Sequence, residues 1–301
     1  MARLDRTIAR VLPAVPRPVV RRLAAPYIAG PSLDDAVCCV RRLNGEGKLA
    51  TVDVLGEEVT SAEEAEKMTA AYFRVLERLE RRRLFANVSV KLTALGLELG
   101  EDVCRQNLVS VVEDARVRGS FVRIDMEDSS TTDATLRLYR ELRAEGRENL
   151  GVVLQAYLRR TIDDVTGLEN ARLCKGIYVE PPGLAFQDPA EIRTSFLAVL
   201  DALLDQGSYV GIATHDEILL QAALRRIEER GLEREAYEFQ MLLGVREERG
   251  DELVAAGHRV RVYVPFGTHW YEYSVRRLQE NPQIAGYAAA DTLRRLRRRL
   301  P

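Results

Sequence analysis

Cysteine is scarce in this chain and shows no metal-ligand spacing. Cys38, Cys39, Cys104 and Cys174 are the four in 301 residues, with no CxxC pair and no grouping with the three histidines. A disulfide framework and a bound metal are therefore not expected, and a reduced, cytoplasmic setting is. Long apolar runs are missing as well. Nothing approaches the roughly 18 residues that a membrane-spanning helix needs, and the N-terminus lacks a signal-peptide core. Charge of one sign is not in excess either: 44 Lys and Arg against 46 Asp and Glu leave −2. That balance offers no concentrated basic surface for nucleic acid. Standard motifs are absent too, with no GxGxxG after a strand, no GxxxxGK[ST], no HExxH and no GxSxG. Dinucleotide-fold, P-loop, zincin and hydrolase-elbow chemistry all lose support.

What is present is an alternation. Apolar residues at 46% and charged residues at 30% suit an ordinary soluble core. Eight β-rich runs start at 49, 86, 121, 151, 172, 209, 237 and 259, and stretches such as "SAEEAEKMTAAYFRVLERLERRR" between them have helical periodicity. Eight strand and helix pairs predict a single (β/α)8 TIM barrel over residues 46–285. Residues 1–45, broken by "AGPS", are expected to be a helical arm packed on it. The basic, partly amphipathic start is read as part of that arm, with a transit peptide as the alternative. Residues 286–301 form a basic tail in which Leu293, Leu296 and Leu300 share a helical face. It is read as a solvated end, with peripheral contact to an anionic membrane surface as the alternative.

Strand parity carries the functional reading. Val88, Val90 and Leu92 alternate with Ser89, Lys91 and Thr93; Val122, Ile124 and Met126 with Arg123, Asp125 and Glu127; Val260, Val262 and Val264 with Arg261 and Tyr263. The helix layer must take the apolar set, because charges buried there would lack partners. Asp53, Lys91, Arg123, Asp125, Gln155 and Arg261 should then point into the barrel, which ordinarily holds aliphatic side chains. A self-satisfied ion network would explain them. A ligand site near the C-terminal strand ends explains them better. Lys91 taken alone would suit a Schiff-base aldolase. Near the end, Trp270, Tyr273, Arg276, Arg277 and Glu280 fall on one helical stripe, a pairing of guanidinium groups and aromatic rings that suits the wall of an anionic site.

"VSVKLTALG", "FVRIDMED", "RLCKGIYVEPPG", "IATHDE", "EFQMLLGVRE" and "VPFGTHWYEYSVRRLQENP", in this order, resemble the proline dehydrogenase family over about residues 30–285. The resemblance implies a distorted barrel with its final helix over the mouth and noncovalent FAD at the strand ends. It implies oxidation of L-proline to Δ1-pyrroline-5-carboxylate by hydride transfer to flavin N5, with electrons passed to a membrane quinone. Arg276 and Arg277 would clamp the substrate carboxylate, a geometry that planar guanidinium forks suit, and Lys91 would add a third positive charge. Asp125 would hold Lys91 and the pocket in register, and Tyr263 and Tyr273 would pack around the proline ring. Arg172 would reach N5 of the flavin, and Gln155 and the backbone of Met126 would contact its ring system. Lys175, Gly176 and Ile177 would follow its polar chain, and Thr214 and His215 its adenosine half. Glu180 receives no role. The loop around "FGTHWYE" resembles the monofunctional bacterial group; no aldehyde dehydrogenase domain is expected after the arginine helix, and the second step of proline catabolism is expected to belong to another protein.

Overall fold

All eight expected strands form, and the sheet they make closes on itself. The structure is a computed structural model that describes residues 25–56, 59–271 and 274. β1 (Leu49–Val54), β2 (Ala86–Val90), β3 (Val122–Ile124), β4 (Leu150–Gln155), β5 (Asn170–Cys174), β6 (Tyr209–Ala213), β7 (Tyr237–Leu242) and β8 (Val260–Phe266) lie side by side in chain order. Every pairing is parallel, and β8 returns to β1.

Helices return each strand to the next. They are α1 (Leu33–Gly45), α2 (Ala62–Arg81), α3 (Glu101–Val117), α4 (Thr132–Ala144), α5 (Thr161–Asp164), α6 (Pro189–Asp205), α7 (Glu217–Glu229) and α8 (Glu247–Ala255). Their starts are written locally. Ser32 and Asp35 form a reciprocal capping box, Ser61 caps α2, Asp188 caps α6 ahead of Pro189, and Asp216 caps α7. Each such cap contributes about 1 kcal/mol. The alternation is uneven at α5, a single turn of four residues. α1 precedes the first strand, yet it packs on both β1 and β8 and so covers the closing seam. The expected helical addition is therefore part of the barrel wall. Residues 1–24 of the N-terminal arm, most of the helix expected over the mouth and the basic tail lie outside the described residues.

The parity argument is visible in the burial. Val88, Val90, Val122, Ile124, Val152, Leu154, Leu173, Ile212, Phe239 and Val264 are buried against the helices. The interior set is polar, and it separates into a floor and a mouth. On the floor, the Glu238 carboxylate accepts from Nε of Arg261 at 2.7 Å. Arg123, 2% exposed, crosses β4 to donate to the Asn170 carbonyl at 3.0 Å and to its side-chain oxygen at 2.5 Å. That crossing needs Gly151, where a Cβ would stand 2.3 Å from NH1 of Arg123. Burial and the charge of Arg172 push the Arg123 guanidinium down to about 9, which leaves it cationic at neutral pH.

Candidate active site

The mouth is built at the C-terminal ends of the strands. Lys91 leaves the end of β2 and donates to both oxygens of Asp53, at 3.0 and 3.2 Å. Asp53 is fully buried, and the Tyr72 hydroxyl lies 3.5 Å from it. Burial acts to depress the Lys91 pKa, but the charge of Asp53, then that of Asp125, outweighs it and leaves the ammonium above its ordinary value. A Schiff-base lysine needs the opposite shift, so the geometry opposes the aldolase reading.

Asp125 does not hold Lys91, which corrects the expectation from sequence. It follows β3, and its carboxylate is occupied on three sides: Ser89 Oγ donates at 2.6 Å, Arg172 NH1 at 2.7 Å and the Tyr263 hydroxyl at 2.8 Å. Arg172 also lies over the Tyr263 ring, 5.4 Å from its centre. Four strands thus contribute to one constellation around a single carboxylate. The registers explain the division, since Asp53 is level with Ser89 on the adjacent strand, within reach of a lysine two residues further along.

The rest of the rim is shaped around backbone and unspent donors. Gln155 donates through Nε2 to the carbonyls of Met126 at 2.9 Å and Glu127 at 2.8 Å. Its own carbonyl oxygen is buried without a partner among the described residues. Glu127 accepts from the Thr93 backbone at 3.1 Å, and burial raises its pKa. Gly176, with φ +102°, approaches Tyr157 so closely that a Cβ would stand 2.0 Å from the ring. Lys175 joins Asp216 at 3.1 Å, and the same carboxylate takes Nε of Arg193 at 2.8 Å. Thr214 Oγ accepts from the Asp216 amide. His215 Nε2 accepts from the Leu242 amide at 3.0 Å, which places the ring proton on Nδ1. Burial, then the charges of Arg246 and Lys175, push the His215 pKa down to about 4. Ile177 lies on the same loop, which Glu180 ties to the β3–α4 loop by accepting from the Ser129 amide at 2.7 Å and its hydroxyl at 2.8 Å. Beside Lys91 opens a cavity of about 730 Å³, reached by Val54, Met68, Arg74 and Phe266. Small-molecule sites run to roughly 300–1,000 Å³.

A sequence model described as proline dehydrogenase matches residues 37–180 and 182–289. The chain belongs to the proline dehydrogenase family. Proline dehydrogenase 1 of Bacillus subtilis subsp. natto is 36% identical over 273 residues, 89% of this chain and 90% of that protein. Proline dehydrogenase of Deinococcus radiodurans is 34% identical over 300 residues, 94% of this chain and 97% of that one. Among solved structures, proline utilization A of Bdellovibrio bacteriovorus, inactivated by N-propargylglycine, superposes with a TM-score of 0.81 at 27% identity, over 92% of this chain and 36% of its own. The enzyme accordingly oxidises proline, in proline catabolism.

For a proline dehydrogenase, the constellation supplies three kinds of group: fixed cations at Lys91 and Arg172, a carboxylate at Asp125 and an aromatic wall at Tyr263. Tyr273, Arg276 and Arg277 lie outside the described residues. Sequence reasoning did not single out Ser89, Gln240 or Glu238, nor pair Asp53 with Lys91. The signal for β7 was present, because Glu238 and Gln240 alternate with Phe239 and Met241 as charged and apolar residues do on β3.

Proposed function

We propose that the mouth oxidises L-proline to Δ1-pyrroline-5-carboxylate with noncovalent FAD as the immediate acceptor, and that the electrons leave for a membrane quinone. The residues present suit such a cofactor. The Gln155 oxygen, without a partner among the described residues, offers an acceptor to a ring N–H, and His215 presents a donor at Nδ1. Arg172, Gln155 and Met126 would hold the ring system; Lys175, Gly176 and Ile177 its polar chain; Thr214 and His215 its adenosine half. Bound FAD would supply a two-electron acceptor for the hydride leaving the ring carbon beside nitrogen.

The chain's own side chains do the rest. Lys91, kept cationic by Asp53, attracts the substrate carboxylate, and Arg276 with Arg277 complete the clamp. Tyr263 and Tyr273 enclose the apolar ring and keep water from the reacting carbon. Arg172 would set positive charge beside the acceptor, which becomes anionic when it is reduced. Asp125 fixes both Arg172 and Tyr263, so one carboxylate orients the cation and the aromatic wall together.

The observation that carries this reading is the convergence of Ser89, Arg172 and Tyr263 on Asp125 beside a lysine that stays charged. The test is optical. Purified protein reconstituted with FAD should be yellow, and anaerobic proline should bleach it; a preparation that remains colourless refutes the reading. Arg276→Met should weaken proline binding by about 2–5 kcal/mol, the usual cost of breaking a buried charge pair, while FAD binding holds. Unchanged proline kinetics would remove Arg276 from the clamp.

Among the described residues no helix is long and apolar enough to cross a membrane. We propose that the enzyme is cytoplasmic with its basic tail in solvent, and peripheral contact of that tail with the membrane's inner face is the alternative. Under the alternative, removal of residues 291–301 should abolish binding to anionic vesicles and spare proline oxidation by a soluble dye. Retained vesicle binding would exclude the tail as the contact.

A further inference from the structure

We propose that Gln240 is the positioning residue for Arg172 and that Gly211 is the opening through which it works, an inference that rests on the function proposed above. Arg172 is on β5 and Gln240 on β7, with β6 between them. In register, Arg172 is level with Gly211, and Gly211 with Glu238. Adjacent strands stand roughly 4.8 Å apart, so a side chain joining β5 to β7 must pass over β6. At that level β6 carries no side chain. A Cβ on Gly211 would come 2.4 Å from Nε2 of Gln240 and 2.9 Å from its Cδ. The amide pose therefore requires the glycine.

The orientation of that amide is dictated from below. Gln240 Nε2 donates to Oε1 of Glu238 at 2.6 Å, and the same oxygen accepts from Nε of Arg261 at 2.7 Å. Arg261 is anchored in turn by donating from NH1 to the Ala50 carbonyl at 2.8 Å. Burial works against ionisation of Glu238, but the Arg261 charge outweighs it and holds the carboxyl below its usual range. A charged acceptor thus claims the NH2 end of the amide. The carbonyl end must face Arg172, and Gln240 Oε1 accepts from its Nε at 2.5 Å. A flipped amide would set NH2 against a guanidinium and oxygen against a carboxylate.

Arg172 then has little freedom left. Nε belongs to Gln240, and NH1 donates to Asp125 and to Ser89 Oγ, at 2.7 and 3.2 Å. NH2 takes part in none of these three hydrogen bonds. Without Gln240 the fork can turn to pair Asp125 through two nitrogens, the favoured arrangement for arginine and carboxylate, and withdraw NH2. Gln240 therefore decides which edge of the guanidinium faces the mouth.

Gln240→Met keeps the volume and removes both polar atoms. In flavin-loaded protein the midpoint potential should drop by about 30 mV, equivalent to a tenfold loss of preference for the reduced cofactor. Turnover with proline should fall about tenfold while KM changes less than about twofold. Gly211→Ala, which crowds the amide from the other side, should move both in the same direction and covers the case of a methionine variant that does not fold. A second readout needs neither flavin nor activity: exchange of the Arg172 Nε–H, followed by nitrogen-edited NMR, should quicken at least tenfold in either variant. A merely structural role would lower Tm and leave potential and exchange alone, and that outcome overturns the proposal. If exchange quickens but the wild-type protein takes up no flavin, the positioning role stands and the proposed function falls.

Discussion

On one flank of β5, Arg123 crosses Gly151 to end on Asn170; on the other, Gln240 crosses Gly211 to end on Arg172. The device is the same: a side chain reaches two strands away over a glycine, and both arms end on inward residues of one strand. The cargo is opposite. Arg123 is a charge received by an amide and by carbonyls, with no carboxylate among its hydrogen-bond partners in the described residues. Gln240 is a neutral arm that receives a charge already tied to Asp125. The first arrangement ends in the floor and keeps a buried cation solvated by dipoles. The second reaches the mouth. Disturbing the floor should therefore cost stability, and disturbing the arm should cost chemistry.

The largest expected effect sharpens that contrast at the mouth itself. Lys91→Met leaves Asp53 buried without its cation, and breaking a buried pair on one side costs about 3–5 kcal/mol. Urea unfolding should show that loss, and adding Asp53→Asn should recover most of it. Proline binding should stay weak in the double variant, because the neutral pair no longer attracts a carboxylate. Recovery of both together would mean that Lys91 serves the fold alone. The next effect belongs to the floor. Gly151→Ala drives a Cβ into Arg123 and brings it within 2.8 Å of the Phe121 ring, so stability should fall by roughly 2–3 kcal/mol with the absorption spectrum of bound flavin unchanged. A shifted spectrum would show that floor and mouth are coupled.

This contrast also marks how far the sequence could be read. Period-two alternation depends only on neighbours along the chain, so all eight strands and the inward set were legible, even in β3 with its three residues. Partners across the barrel depend on register, which closure of the sheet decides. The family resemblance implied that Asp125 holds Lys91, yet register gives Lys91 to Asp53 and Asp125 to Arg172. Gln240 was hidden for a stronger reason. Its reach depends on a glycine on another strand, and neither residue says so alone. Caps such as Ser32 with Asp35 are local and were open to reading. The crossing of α1 over the β1–β8 seam is tertiary and was not.

Two histidines carry the comparison into pH. His215 is at the mouth, and His258 is at the foot, beside Tyr237 and Phe239. Both are pushed from 6.5 to about 4: His215 by burial, then by Arg246 and Lys175; His258 by burial, then by Arg234 and Arg249. Above pH 6.5 neither state binds the proton, so stability is full. As pH falls from there toward about 4, the unfolded chain gains protons that the folded chain refuses, and stability is lost until the folded state protonates too. The loss should be on the order of 2 kcal/mol for His215, and less for the half-buried His258, whose penalty solvent screens. His215→Asn can keep an acceptor for the Leu242 amide and does not titrate. Urea midpoints between pH 4 and 7 should therefore flatten more in His215→Asn than in His258→Asn, and equal slopes in the two variants would show that mouth and foot are equally open to water.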